Sequence, residues 1–135
     1  MSESDWAHFL ENPESIHALY DKEPRLEQSD LFHVLADERS DSITLGFRTY
    51  EIPTRTRPER EGAKYNSFSF HLIFDGVQEL FIRGWTAPAH KRVSIRRDPD
   101  ENLTVTITSD GSSVAFRAHS LSLSAARVGL VSRFE

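Results

Sequence analysis

Metal chemistry in this 135-residue chain would have to come from its six histidines, His8, His17, His33, His71, His90 and His119. Two ligands share a face when they stand two residues apart on a strand or three to four apart on a helix, and no pair of these histidines does. There is no cysteine, which removes thiolate ligands, disulfides and a cysteine nucleophile. Serine chemistry lacks its Gly-x-Ser-x-Gly elbow; Ser112, Ser113, Ser120, Ser122 and Ser124 fall in turns and strands that explain them as sheet residues. Glu23, Glu27, Asp37 and Glu38 read as helix-end and loop carboxylates with no apolar setting to raise a pKa for acid–base work. The six glycines are isolated and form no phosphate cradle. The residues therefore predict no catalytic group, no metal and no cofactor.

Charge points elsewhere. Residues 1–41 hold eleven acidic and three basic side chains, a local charge of −8, whereas residues 42–135 hold ten acidic and thirteen basic ones, +3, for a total of −5. A negative segment repels nucleic acid phosphates and favours a basic partner. The simpler account is that these carboxylates solvate surface helices. The run Arg55, Arg57, Arg60, Lys64 has only Tyr65 nearby as a stacking group, and the overall field has the wrong sign, so nucleic-acid binding is not expected. Arg96 and Arg97 stand next to Asp98 and Asp100, where local pairing suffices.

The elements that would position such a surface follow from periodicity. Ser4 or Asp5 can cap a first helix running to Leu10 with Trp6, Phe9 and Leu10 on one face. Asn12-Pro13 breaks it, and Pro13-Glu14 suit the start of a second helix with Ile16, Leu19 and Tyr20 buried, ended by Pro24. From Asp30 on the pattern alternates with period two. Strands are predicted at Leu31–Ala36, Ile43–Ile52, Phe68–Phe74, Val77–Trp85, Arg92–Arg97, Leu103–Thr108, Val114–Ala118 and about Leu121–Val131. Pro53–Lys64 reads as an exposed loop, and Asp75-Gly76 as a hairpin-type turn. Phe68, Phe70, Leu72 and Phe74 share a face and predict a filled interior; His71 points the other way. Trp6 and Trp85 read as core.

The expected fold is α+β: two short N-terminal helices packed on a curved antiparallel β-sheet or two-sheet sandwich of about eight strands. A single domain over 1–135 is expected, with a helical acidic segment at 1–29 and the β region at 30–135. The N-terminus lacks the basic and apolar regions of a signal peptide and no apolar run reaches spanning length, so cytoplasmic residence and no membrane contact are expected.

The block Trp6…Leu10…Asn12-Pro13-x-Ser15-Ile16-x-Ala18-Leu19-Tyr20-Asp21-x-x-Pro24-x-Leu26, followed by Phe70-x-Leu72-x-Phe74-x-x-Val77-x-Glu79-Leu80-x-Ile82-x-Gly84-Trp85, resembles the immunity protein 50 family of bacterial polymorphic toxin systems. The resemblance covers nearly the whole chain and rests on packing motifs. It implies a cytoplasmic antidote that binds and neutralises a cognate protein toxin, with no cofactor and no active site. Many toxin domains are nucleases with basic clefts, which an acidic segment could plug. On that view Asp21, Glu23, Glu27, Asp30, Asp37, Glu38 and Asp41 are the contact or rim residues, and the chain is a monomer or weak homodimer. The alternatives are a small-ligand-binding β-barrel or sandwich protein and an adaptor module; a ligand site would need polar groups converging inside the barrel.

Overall fold

A computed structural model describes residues 3–18, 20, 24–50, 67–84 and 91–129. Among the described residues eight strands form: β1 (Asp30–Asp37), β2 (Ser42–Thr49), β3 (Ser67–Asp75), β4 (Gln78–Arg83), β5 (Arg92–Arg97), β6 (Leu103–Ser109), β7 (Ser112–Ala118) and β8 (Ser120–Gly129). They make two four-stranded antiparallel sheets, ordered β1-β2-β3-β8 and β4-β7-β6-β5. The alternation expected from the sequence sets which side chains face inward. In the first sheet the rows Ile43–Phe74–Leu121 and Leu45–Leu72–Leu123 run across three strands. In the second, Val93–Ile107–Val114 and Ile95–Val105–Phe116 do the same. Phe68, Phe70, Leu72 and Phe74 are each 0% exposed, and Phe74 meets Phe116 of the other sheet edge-on at 5.1 Å. Each such side chain taken from water stabilises the fold by roughly 2–3 kcal/mol before the cost of ordering it.

The two sheets come from one bent ribbon. β3 continues into β4 after Gly76 and Val77, and β7 continues into β8 after His119 alone. β3 pairs with β8 and β4 with β7, so both strands of the ribbon turn at one corner. There the His119 amide donates to the Asp75 carbonyl at 2.8 Å, and the Gln78 side-chain amide donates to His119 Nε2 at 3.1 Å. The hairpin expected at Asp75-Gly76 is corrected by this arrangement. Gly76 adopts a positive φ of 67° to turn the chain between sheets, and β3 and β4 are not paired with each other.

The N-terminal helices also differ from expectation. Glu3–Phe9 is a 3-10 segment, α1 is the four residues Glu14–His17, and Leu26–Gln28 is a further 3-10 turn. The reason is that the chain is taken up by the sheet. Leu10 forms a parallel bridge with Leu121, the Glu11 amide donates to the Leu121 carbonyl at 2.7 Å, and the Asn12 side chain both donates to and accepts from the Leu123 backbone, at 3.1 and 3.0 Å. A chain held this way cannot continue a helix past Phe9. The expected aromatic face is nonetheless buried. Trp6 stacks on Phe70 with centroids 5.5 Å apart and donates from Nε1 to the Pro24 carbonyl at 2.7 Å, and Tyr20 meets Phe68 edge-on at 5.3 Å. Leu19, Ile52, Trp85, His90, the 53–64 loop and the end of the last predicted strand lie outside the described residues, as do the side chains of Ser4 and Asp5. Among the described residues no helix is long and apolar enough to cross a membrane.

The pairing expected around Arg96 and Asp98 is present and ties the β5–β6 turn to β7. Asp98 accepts a hydrogen bond from the Thr104 hydroxyl and lies 3.3 Å from Arg96 Nε and 3.6 Å from Arg117 Nε. Arg117 also bonds Asp100, which accepts the Asn102 amide at 3.1 Å. Arg97 instead donates to the Glu101 carbonyl at 2.9 Å and lies over the Phe9 ring.

Two outcomes are expected. A Cβ at Gly76 would stand 2.7 Å from the His119 ring at a backbone angle that disfavours side chains, so Gly76→Ala should lower unfolding free energy by roughly 1–3 kcal/mol in denaturant titration. Adding His119→Ala should restore part of that loss, because it removes the ring contacts at 2.7 Å and leaves the Cβ contact at 2.9 Å and the φ strain. The Thr104 hydroxyl, then Arg96 and Arg117, hold the Asp98 carboxyl below its ordinary value of 3.8, and Arg117 and the Asn102 amide do the same for Asp100. A depressed carboxylate pKa gives stability that is present above the ordinary value and is lost as pH falls below it. Asp98→Asn should therefore lower Tm at pH 7 and change it little at about pH 2, by thermal melts at the two pH values.

Candidate partner-binding surface

Of the seven acidic residues singled out by sequence, three come together. Asp37 ends β1, and Glu38 and Asp41 form the turn into β2. Asp37 Oδ1 accepts the Arg39 amide at 3.0 Å and the Ser40 amide at 3.4 Å, the side-chain turn that aspartate makes more readily than most residues. The Asp41 amide returns to the Glu38 carbonyl at 3.3 Å, and Asp41 takes a positive φ of 51°. Its carbonyl accepts the Val77 amide at 2.8 Å, which fastens the hairpin tip to the residue just before β4. Between the tip and the start of β4 lies a cleft of about 380 Å³, lined by Asp37, Glu38 and Asp41 on one side and by Val77, Glu79 and Leu80 on the other. Four carboxylates thus border one concavity with apolar walls, a geometry that concentrates negative potential.

β4 completes this surface. It is the outer strand of its sheet, and Gln78–Arg83 is exposed throughout. Glu79 takes a φ of +56° inside an irregularity between Gln78 and Phe81, which breaks the alternation. Leu80, Phe81 and Ile82 are 41%, 70% and 48% exposed. Glu79 and this apolar run were not among the sequence-predicted site residues. The signal was present: three consecutive large apolar residues cannot all face one core in a period-two strand.

The other candidates are elsewhere. Asp30 begins β1 opposite Arg48, which places it about 23 Å from Asp37 at the far end of an eight-residue strand. Glu27 lies in the Leu26–Gln28 turn, and its Oε2 is buried with no hydrogen-bond partner among the described residues. Asp21 and Glu23 lie outside the described residues. Histidine pairing across strands also escaped the spacing rule. His33, Gly46 and His71 are in register on β1, β2 and β3, and the two imidazole centroids lie 6.1 Å apart over the glycine. A Cβ at Gly46 would meet His33 and Phe32 at 3.0 Å, so the glycine makes that approach possible. Phe32 in turn carries the Arg48 guanidinium over its ring at 5.3 Å. Among the described residues no three histidine or carboxylate side chains gather as a metal-holding group.

The tip geometry predicts a separable structural role for Asp37. Asp37→Ala should cost about 1 kcal/mol and speed amide exchange at Arg39 and Ser40, whereas Asp37→Asn, which keeps the accepting oxygen, should leave both nearly unchanged by exchange NMR.

No curated protein matches this sequence. The sequence profile of the family described as immunity protein 50 matches residues 12–129, a span that runs from the Asn12 clamp on β8 through all eight strands and includes the hairpin tip and β4. The chain belongs to the immunity protein 50 family.

Proposed function

We propose that this chain is a bacterial cytoplasmic antidote that binds a protein toxin of a polymorphic toxin system and neutralises it stoichiometrically, without chemistry of its own. Family membership supports the class. The observation that carries the mode of action is the cleft bordered by Asp37, Glu38, Asp41 and Glu79 beside exposed Leu80, Phe81 and Ile82. An apolar centre with charge at its rim is the composition of a tight interface, where desolvated anchors supply affinity and rim charges supply encounter rate. The partner that fits is a toxin domain with a basic groove, such as the phosphate-binding cleft of a nuclease. In this reading Asp21, Glu23, Glu27 and Asp30 contribute to the −8 charge of residues 1–41, which attracts a basic partner at long range. The ligand-binding alternative is disfavoured by Phe68, Phe70, Leu72 and Phe74, which fill the interior a ligand would need.

The test uses the cognate toxin, which this reading expects to be a secreted protein encoded beside this chain. The quadruple variant Asp37→Asn, Glu38→Gln, Asp41→Asn, Glu79→Gln keeps side-chain shape and removes charge. Its association rate at low salt should fall about tenfold or more and lose most of its salt dependence in stopped-flow binding. An unchanged rate at low salt would remove the acidic cleft from the mechanism, and absence of any complex with the parent chain would remove the antidote reading itself.

A further inference from the structure

Sheet edges carry backbone donors and acceptors that need partners, and folded proteins blunt them. Two of the four edges here lie against other segments of the chain. The outer edge of β8 receives the Leu10 bridge, the Glu11 amide and both Asn12 bonds. β5 carries Arg92, Arg96 and Arg97 and lies against the Glu3–Phe9 and Leu26–Gln28 segments. β1, like β4, has a register irregularity and exposes large apolar residues, Phe32 and Leu35, but Asp30–Asp37 carries no Lys or Arg to pair with its acidic ends in a second copy. β4 is the fourth edge. Among the described residues only β7 pairs with it, and its apolar run is exposed, Phe81 by 70%.

The order of residues along β4 names what fits there. Glu79-Leu80-Phe81-Ile82-Arg83 reads acid, apolar, aromatic, apolar, base. An antiparallel second copy centred on Phe81 sets Phe81 against Phe81, Leu80 against Ile82 and Glu79 against Arg83, each cross-pair occurring twice by the two-fold symmetry. Sliding the register by one residue on each copy places Arg83 or Glu79 opposite Phe81 and loses both charge pairs. The cleft adds a second complementarity: Arg83 of the second copy, arriving at Glu79, enters the concavity that Asp37, Glu38 and Asp41 also border. We infer that β4 is a self-pairing edge, through which two copies of this chain join their four-stranded sheets into one eight-stranded sheet, with Arg83 of each copy in the acidic cleft of the other.

Six residues per chain make a contact well below standard interface size, so the association is reversible, with Kd of roughly tens of micromolar. This inference stands apart from the toxin reading and is tested without toxin. It does constrain that reading, because Arg83 of a second copy occupies the place of a basic toxin group, so self-pairing and toxin binding exclude one another.

Sedimentation equilibrium of the full chain from about 5 µM to about 500 µM should show the mean mass rise from 15.4 kDa towards twice that value. Phe81→Asp, at an exposed position, should keep the circular dichroism spectrum and Tm of the parent and weaken association about tenfold or more. Arg83→Glu should also weaken it, and the swap Glu79→Lys with Arg83→Glu should recover most of that loss. A mass fixed at 15.4 kDa over the whole range overturns the inference. So does a dimer that survives Phe81→Asp, which places the contact elsewhere.

Discussion

The arrangement of everything else follows from the corner at which β3 becomes β4 and β7 becomes β8. A ribbon with one apolar face must cover that face, and bending it back on itself does so with the same two strands on both sides. The bend needs one residue able to take a positive φ and a close neighbour on the facing strand, and Gly76 against His119 supplies both. It sets Phe74 against Phe116 across the interior. It also decides the surface. Val77 emerges from the corner with its amide on the Asp41 carbonyl, so the acidic tip of the β1–β2 hairpin is held at the start of β4.

Interior and rim then divide the work. The space between the sheets is filled by rows of aliphatic and aromatic residues from both, closed at one end by Trp6, Phe9 and Tyr20. The charges on the β5–β6 turn are consumed locally: Asp98 and Asp100 bond Thr104, Asn102, Arg96 and Arg117, and their pKa values are depressed accordingly. Asp37, Glu38, Asp41 and Glu79 instead border the cleft beside the exposed strand β4.

Much of the fold was legible because period-two alternation is a strong signal where one face is buried. Ile43, Leu45 and Phe47, like Phe68, Phe70, Leu72 and Phe74, face inward as the pattern required. The β5 bounds agree with expectation to the residue. The N-terminal segment was less legible, since helical spacing in a short window does not reveal that Leu10 and Asn12 will be captured by the edge of β8. Asp75-Gly76 misled for a related reason: its composition fits a two-residue hairpin turn, and only the partner strand decides whether the chain reverses or turns a corner. For the site, Asp37, Glu38 and Asp41 fall between the predicted strands Leu31–Ala36 and Ile43–Ile52, and they lie together because they are neighbours in the chain. Glu79 joins them through a contact between residues almost forty positions apart, and His33 meets His71 across Gly46, neither of which spacing rules along one element can reach.

The central claim is that this chain acts through the hairpin tip and β4. Hydrogen–deuterium exchange of the dilute chain, free and saturated with the proposed toxin partner, addresses that claim directly. Protection concentrated at residues 35–43 and 77–83 is the predicted result. Protection confined to the β5–β6 face at residues 92–108, with the tip and β4 exchanging as in the free chain, would contradict it.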